Sequence, residues 1–261
     1  ISREINLSET AFVERIKEDY FKVRFFTPVC EVELCGHATI ATFYLLGEKG
    51  YIKADKKDRR IVYQETEAGK LEVELIFKHG KINRILMEQS TPESFGSIKD
   101  LERLADIMGM KVEDIGIRGK RVSPEIISTG LKDIILPINR KGVLEDLSVN
   151  MEELTLFSRE SDVTGVHAFY LPETTDNHVS TRNFAPAVGI DEESATGTSN
   201  GALIFFLKDK GFLKGEDLIA YQGENMGMPS EIYCNIVKNN GEYSVKVGGK
   251  AVIVKSQIVI V

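Results

Sequence analysis

Two stretches of this sequence each begin an apolar helix: Glu33-Leu34-Cys35-Gly36-His37-Ala38-Thr39, followed by IATFYLLG, and Glu193-Ser194-Ala195-Thr196-Gly197-Thr198-Ser199-Asn200-Gly201, followed by ALIFFLKDKG. Each has an acidic residue, then a glycine among small or polar residues, then the apolar run. Helices this apolar are predicted to be buried, one at the centre of each of two lobes.

The start of each helix is also a candidate binding site for an anion. Unpaired backbone N–H groups and the helix dipole both favour negative charge at an N-terminus. Two such ends facing one cleft would hold a small carboxylate, although either alone is more often a simple helix cap. Neither stretch is a dinucleotide fingerprint or a P-loop, because G-x-G-x-x-G and G-K-[ST] are absent.

The rest of the chain is dominated by strand patterns. A hairpin is predicted over 11–16 and 20–28, and the tail 251–261 is predicted to form one or two buried strands. The other predicted strands are 61–66, 71–77, 82–88, 125–128, 132–137, 165–171, 178–184, 218–222, 231–237 and 243–247, and the other predicted helices are 97–108, 150–160 and 198–210. Many strands with one conspicuous helix in each half predict an α+β fold with two similar lobes, 1–115 and 124–254, joined near 116–123.

Composition excludes several classes of function. With 33 Lys and Arg against 40 Asp and Glu the formal charge is −7, which repels a nucleic-acid backbone. Apolar runs are far shorter than the roughly 18 residues that span a bilayer, so no membrane association is expected. Three cysteines do not form a disulfide framework and favour a reducing compartment, and we therefore expect a cytoplasmic protein.

Four segments with distinctive motifs occur in order along nearly the whole chain. They are Asn6-Leu7-Ser8-Glu9-Thr10, Arg24-Phe25-Phe26-Thr27-Pro28 leading into Cys35-Gly36-His37-Ala38-Thr39, Arg182-Asn183-Phe184-Ala185-Pro186, and Ala195-Thr196-Gly197-Thr198. A fifth and weaker one is Gln222-Gly223 with Gly227 and Pro229-Ser230. Together they resemble the PhzF group of phenazine biosynthesis-like proteins, which share the diaminopimelate epimerase fold.

The resemblance implies the architecture and the place of the site. Each lobe should be a curved, mostly antiparallel sheet around its apolar helix, with the active site in the cleft between lobes and two copies forming a homodimer. It also implies that the first lobe here lacks about 40 residues, a strand and a helix, which leaves a sheet edge without its neighbour. The last strand, 255–261, is expected to complete that lobe.

The resemblance further implies a cofactor-independent isomerase that moves a proton between carbons of a small carboxylate-bearing substrate. Glu9 is the matching general acid/base, and His37 orients the substrate or assists the proton transfer. The backbones of Gly36, His37, Gly197 and Thr198, together with Cys35, match the substrate-binding positions, where N–H groups also stabilise developing negative charge. Glu193 is a third catalytic candidate, although the characterised enzyme has an Asp there, and Met228 replaces a basic residue common in the family.

Two alternatives remain open. Cys35 at a helix N-terminus is suited to become a thiolate, as in an amino-acid epimerase or racemase. Such an enzyme uses a thiol from each lobe, however, and the second lobe offers Thr196. The other alternative is a non-catalytic homodimer that binds a small molecule in the cleft.

No metal site is expected. Cys30 and Cys35 have an unsuitable spacing for zinc, and no matching Cys/His pair follows downstream. Cys234 lies in a strand pattern that places it in the core, and His167 and His178 are expected to be hydrogen-bonded residues of the core or of an edge.

Overall fold

The computed structural model describes residues 1–174 and 177–256. The chain divides into two compact units. The first is Ile1–Glu88 with the chain from Gly248 onward, and the second is Gln89–Val247.

The first unit is a mostly antiparallel sheet with one long helix. Its strands have the order β1-β2-β4-β5-β6; β2 and β4 are parallel, and β3 pairs with the last residues of β2 on the edge that faces away from β1. The predicted hairpin and the three strands after the helix are confirmed. The elements are α1 (Ser2–Ile5), β1 (Thr10–Lys17), β2 (Tyr20–Phe26), β3 (Glu31–Val32), α2 (Gly36–Glu48), β4 (Arg59–Thr66), β5 (Gly69–Lys78) and β6 (Lys81–Glu88).

Helix α2 covers one face of this sheet. On β2, Phe21, Val23 and Phe25 are buried while the alternate residues are exposed, which is the period of a half-buried strand. Phe43 of α2 is buried against them and meets Phe21 edge to face at 5.7 Å between ring centroids. The apolar face of the sheet therefore holds α2 in place and, with it, the residues at the helix N-terminus.

The second unit is a larger mixed sheet with helices on both faces. Its strand order is β15-β14-β13-β11-β10-β9-β8-β7, with β9/β10 and β11/β13 parallel and β12 added to β11. The elements are β7 (Glu93–Ser97), α3 (Leu101–Ile107), β8 (Glu125–Ser128), β9 (Lys132–Pro137), α4 (Lys141–Glu145), α5 (Met151–Glu160), β10 (Gly165–Tyr170), β11 (His178–Ala185), β12 (Ile190–Glu193), α6 (Gly197–Asp209), β13 (Asp217–Gln222), β14 (Ser230–Asn239) and β15 (Glu242–Gly249).

Two apolar layers lie on opposite faces of this second sheet. Ile135 of β9 faces α6, where Phe169 and Phe206 meet edge to face at 5.9 Å. Its neighbours Ile134 and Leu136 point the other way, into a layer formed with α3, α4 and α5. The α+β class with an apolar helix at each core is therefore confirmed, and the second unit has an additional helical layer.

Some predicted boundaries differ from the structure. The helix predicted from residue 97 begins at Leu101, because the Asp100 side chain accepts a hydrogen bond from Arg103 N and caps it. Residues 251–256 form no strand, and 257–261 lie outside the described residues. The segment assigned to the linker, 116–123, lies within the second unit, where Gly116 N donates to Pro137 O at 3.1 Å.

Candidate active site

The N-terminus of α2 presents unused backbone donors. Cys35 precedes the helix in an extended conformation, with φ −142° and ψ 112°, and its side chain makes no capping hydrogen bond among the described residues. Its carbonyl is held by Thr39, whose N and Oγ1 donate to it at 2.9 and 2.8 Å. The first N–H groups of α2, on Gly36 and His37, have no hydrogen-bond acceptor among the described residues and are available to an anion.

Glu9 and His37 form an ion pair at this end of the helix. Asn6 ends α1 with φ 51°, in the left-handed region that Asn tolerates, and the chain then carries Glu9 to the start of β1. Glu9 Oε2 lies 2.9 Å from His37 Nε2, with the Glu9 side chain 22% exposed and the imidazole 71% exposed. Oε2 is buried, and no group in the described ranges donates a well-aligned hydrogen bond to it. One carboxylate oxygen is thus held beside a cation without a hydrogen bond that would compete for its lone pairs.

Cys35 is the third reactive side chain of this cluster. Its buried Sγ lies 3.6 Å from both ring nitrogens of His37. Contact with Cys35, then Coulombic attraction to Cys35 and Glu9, outweighs partial burial and raises the pKa of His37 to about 9. His37 is therefore an imidazolium at neutral pH.

The same three side chains are the group that best matches a metal site among the described residues. Glu9, Cys35 and His37 each offer a donor atom, and these atoms lie within 4.8 Å of one another. Carboxylate, thiolate and imidazole together suit zinc. A metal would have to displace the proton that His37 retains at neutral pH, because only the neutral imidazole is a ligand.

The second unit repeats this helix start with different side chains. Thr196 precedes α6 in an extended conformation, with φ −120° and ψ 109°. Its carbonyl accepts from Asn200 Nδ2 at 2.8 Å, as that of Cys35 accepts from Thr39. Helices α2 and α6 are each 13 residues long, so the two units share the helix start that the sequence predicts.

Glu193 is held against Thr196. The hydroxyl Oγ1 of Thr196 donates to Glu193 Oε2 at 3.0 Å, and Gln222 Nε2 donates to the backbone oxygen of Glu193 at 2.7 Å. Gly197 is exposed at the start of α6, and the Thr198 carbonyl accepts from Thr129 Oγ1 at 2.8 Å. The structure thus brings Glu9, Cys35, Gly36 and His37 together in the first unit, and Glu193, Gly197 and Thr198 together in the second.

Behind α6 lies a set of buried polar side chains that sequence reasoning missed as a functional feature. His167 lies between Asn183 and Asn200, at 3.2 Å from each, and burial lowers its pKa to about 4. Ser199 accepts from Asn183 and donates to Asp133, whose pKa burial raises to about 6. The expectation that His167 is a hydrogen-bonded residue of the core or of an edge is confirmed, and it lies in the core. Also confirmed is that of a core cysteine at 234, whose pKa burial raises.

Within the described residues, no helix has the length and apolar character needed to cross a membrane.

Comparisons with known proteins agree with one another. A family profile described as phenazine biosynthesis-like protein matches residues 1–257. An uncharacterized isomerase of Clostridium acetobutylicum is 33% identical over 270 residues, which cover all of this chain and 87% of that protein. The trans-2,3-dihydro-3-hydroxyanthranilate isomerase of Pseudomonas aeruginosa is 28% identical, over 89% of this chain and 77% of that protein. The crystal structure of a Bacillus anthracis phenazine biosynthesis protein of the PhzF family has a TM-score of 0.77 at 25% identity, covering 99% of this chain and 87% of that one.

Proposed function

This chain belongs to the phenazine biosynthesis-like protein family and is an isomerase, and we propose that it moves a proton between two carbon atoms of a small carboxylate-bearing substrate with Glu9 as the acid/base. The observation that carries the proposal is the buried oxygen of Glu9 at 2.9 Å from His37 Nε2, beside the open N-terminus of α2. A base, a cation and an anion site within one cluster are what such a proton transfer requires.

The proposed step begins when the Glu9 carboxylate accepts a proton from a substrate carbon. The electron pair of the broken C–H bond passes into the unsaturated system of the substrate. His37, which is an imidazolium at neutral pH, stabilises the negative charge that develops there. The Glu9 carboxyl exchanges this proton with water and then protonates a second carbon, so the isomerisation changes no atom count and needs no oxidant or reductant.

The free N–H groups of Gly36 and His37 would bind the substrate carboxylate. This contact involves backbone donors and a dipole, so it recognises an anion and leaves the rest of the molecule to other residues. In the second unit we assign Gly197 and Thr198 to binding and Glu193 to recognition of a polar substrate group or to proton transfer.

The proposal includes the statement that this enzyme needs no metal or organic cofactor. Metal binding by the cluster of Glu9, Cys35 and His37 would require loss of the His37 proton, so a metal and the proton compete for the same side chain. The proposal also includes a homodimer, as the family resemblance implies, and a location in the cytoplasm, which the small number of cysteines favours. Light scattering of the purified protein would test the dimer, and activity after dialysis against a chelator would test the metal.

The experiment is proton NMR in D₂O with a panel of small carboxylates that includes trans-2,3-dihydro-3-hydroxyanthranilate and several amino acids. We expect deuterium to appear at a substrate carbon with the wild-type protein and not with Glu9→Gln. Glu14→Gln, at an exposed position on β1, is the matched control and should behave as the wild type. Retained exchange in Glu9→Gln would overturn the assignment of the base.

A second candidate function is an epimerase that uses Cys35. It is favoured by the buried Sγ at the start of α2, 3.6 Å from the His37 nitrogens. It is opposed by Thr196 at the corresponding position of α6, because a hydroxyl is too weak a base to take a proton from carbon. Loss of exchange in Cys35→Ser but not in Glu9→Gln would decide for the epimerase, and absence of exchange with every compound would favour a binding protein.

A further inference from the structure

The direction of the hydrogen bonds behind α6 is fixed at His167. Asn200 Nδ2 donates to Thr196 O at 2.8 Å and to Gln222 Oε1 at 2.9 Å, which uses both of its hydrogens. Its oxygen Oδ1 must then accept from His167 Nε2 at 3.2 Å. Nδ1, the other ring nitrogen, accepts from Asn183 Nδ2. Each nitrogen of His167 thus has the role that a neutral imidazole requires, in agreement with the low pKa of about 4.

Gln222 continues this chain with every hydrogen-bonding position occupied. Its Oε1 accepts from Asn200 Nδ2 and, at 3.3 Å, from Thr196 N. Its Nε2 donates to Glu193 O at 2.7 Å and to Thr196 Oγ1 at 3.0 Å. The side chain is fully buried, and a flipped amide would set donor against donor and acceptor against acceptor. The orientation of Gln222 is therefore unique.

The unique orientation of Gln222 determines the direction of the Thr196 hydroxyl. Because Oγ1 already accepts from Gln222, its single hydrogen is directed to Glu193 Oε2, 3.0 Å away. From His167 through Asn200, Gln222 and Thr196, each side chain donates one hydrogen bond to the next, and the last of these bonds reaches the Glu193 carboxylate. Hydrogen bonds aligned in one direction strengthen one another in a buried environment.

We propose that Gln222 is a positioning residue that orients Glu193, both by holding its backbone oxygen and by directing the Thr196 hydroxyl to its carboxylate. The proposal rests on the role of Glu193 in the proposed function, but its geometry lies wholly within the second unit. A glutamate held at its backbone oxygen and at one carboxylate oxygen presents its other carboxylate oxygen in one direction. Loss of one such charge-assisted bond should reduce kcat/KM by about 10- to 100-fold.

The test measures the χ1 rotamer of Glu193 from three-bond couplings, together with kcat/KM for the compound that exchanges in D₂O. Thr196→Val removes the hydroxyl at constant shape, Thr196→Ser restores it, and Gln222→Met removes the amide. Thr181→Val is the matched control, since Thr181 Oγ1 bonds to Tyr221 O on the neighbouring strand and does not contact Glu193. Unfolding midpoints of all variants are compared, so that loss of stability is separated from loss of orientation.

We expect one rotamer of Glu193 in the wild type, Thr196→Ser and Thr181→Val, and rotamer averaging in Thr196→Val and Gln222→Met. A single unchanged rotamer in Thr196→Val or Gln222→Met would overturn the proposal. Averaging with wild-type kcat/KM would support the positioning role and refute the role of Glu193 in the proposed function, so the two failures are distinguishable. Recovery of kcat/KM in Thr196→Ser supports both the positioning role and the role of Glu193 in the proposed function.

Discussion

Asp133 and His167 are two buried ionisable groups that change the free energy of unfolding in opposite directions as pH rises. Asp133 lies on β9, is 2% exposed and accepts a hydrogen bond from Ser199 Oγ. Burial raises its pKa from 3.8 to about 6 and lowers that of fully buried His167 from 6.5 to about 4. Between pH 4 and 6 the folded chain therefore keeps a proton on Asp133, whereas the unfolded chain keeps one on His167.

The direction of each pH dependence is set by which state of the chain, folded or unfolded, binds the proton more tightly. For Asp133 the folded state binds the proton more tightly, so the free energy of unfolding falls as pH rises from about 4 to 6, by about 3 kcal/mol. For His167 the unfolded state binds it more tightly, so the free energy of unfolding rises by a similar amount, about 3 kcal/mol, as pH rises from about 4 to 6.5. The two contributions nearly cancel in the wild-type protein.

Asp133→Asn removes the contribution of Asp133 and leaves that of His167. Relative to the wild type, we expect the variant to gain stability with rising pH, by about 2 kcal/mol between pH 4.5 and 7.5. The measurement is the free energy of unfolding from urea titrations at half-unit pH intervals. Asp191→Asn, at an exposed aspartate of β12, is the control. A difference between Asp133→Asn and wild type that stays constant across this range would refute the reasoning.

Two further predictions concern the cluster of Glu9, Cys35 and His37 and the sheet of the second unit. The imidazole of His37 should titrate near pH 9 in NMR, and at lower pH in Cys35→Ser and in Glu9→Gln; a midpoint unchanged by both substitutions would contradict the assigned causes. Gly165→Ala should cost about 3 kcal/mol or more in urea unfolding, because its Cβ would lie only 1.9 Å from a backbone oxygen of β11. Gly142→Ala, where the Cβ meets no atom within 4 Å, should not destabilise, and equal effects at the two positions would exclude a steric cause.

Local signals predicted many of the elements. The alternation of Phe21, Val23 and Phe25 predicted β2, and the side chain of Asn150 caps α5 by accepting from Glu153 N, within one residue of the predicted start. The sequence failed where local preference and tertiary pairing disagree. Residues 251–256 are rich in β-branched residues but form no strand, since strand formation depends on finding a partner as well as on propensity.

The candidate site likewise contains residues that the sequence could identify and residues that it could not. Glu9, Cys35 and His37 could be selected because their side chains are reactive and the family resemblance marks their positions. Gln222 and His167 are not reactive in this setting. The parallel pairing of β11 with β13, at Thr181 and Gln222, helps bring Gln222 into this network. A single sequence carries no local signal for such a contact, because a buried amide and a buried imidazole resemble ordinary core polar residues.

The most direct test of the central claim is the turnover of Glu9→Gln, measured with its substrate affinity. The substitution keeps the shape of the side chain and removes the group that carries the proton. We predict that kcat falls by about 10²- to 10⁴-fold while the dissociation constant of the substrate changes by less than about 10-fold. A Glu9→Gln enzyme that keeps more than about a tenth of the wild-type kcat would contradict the account.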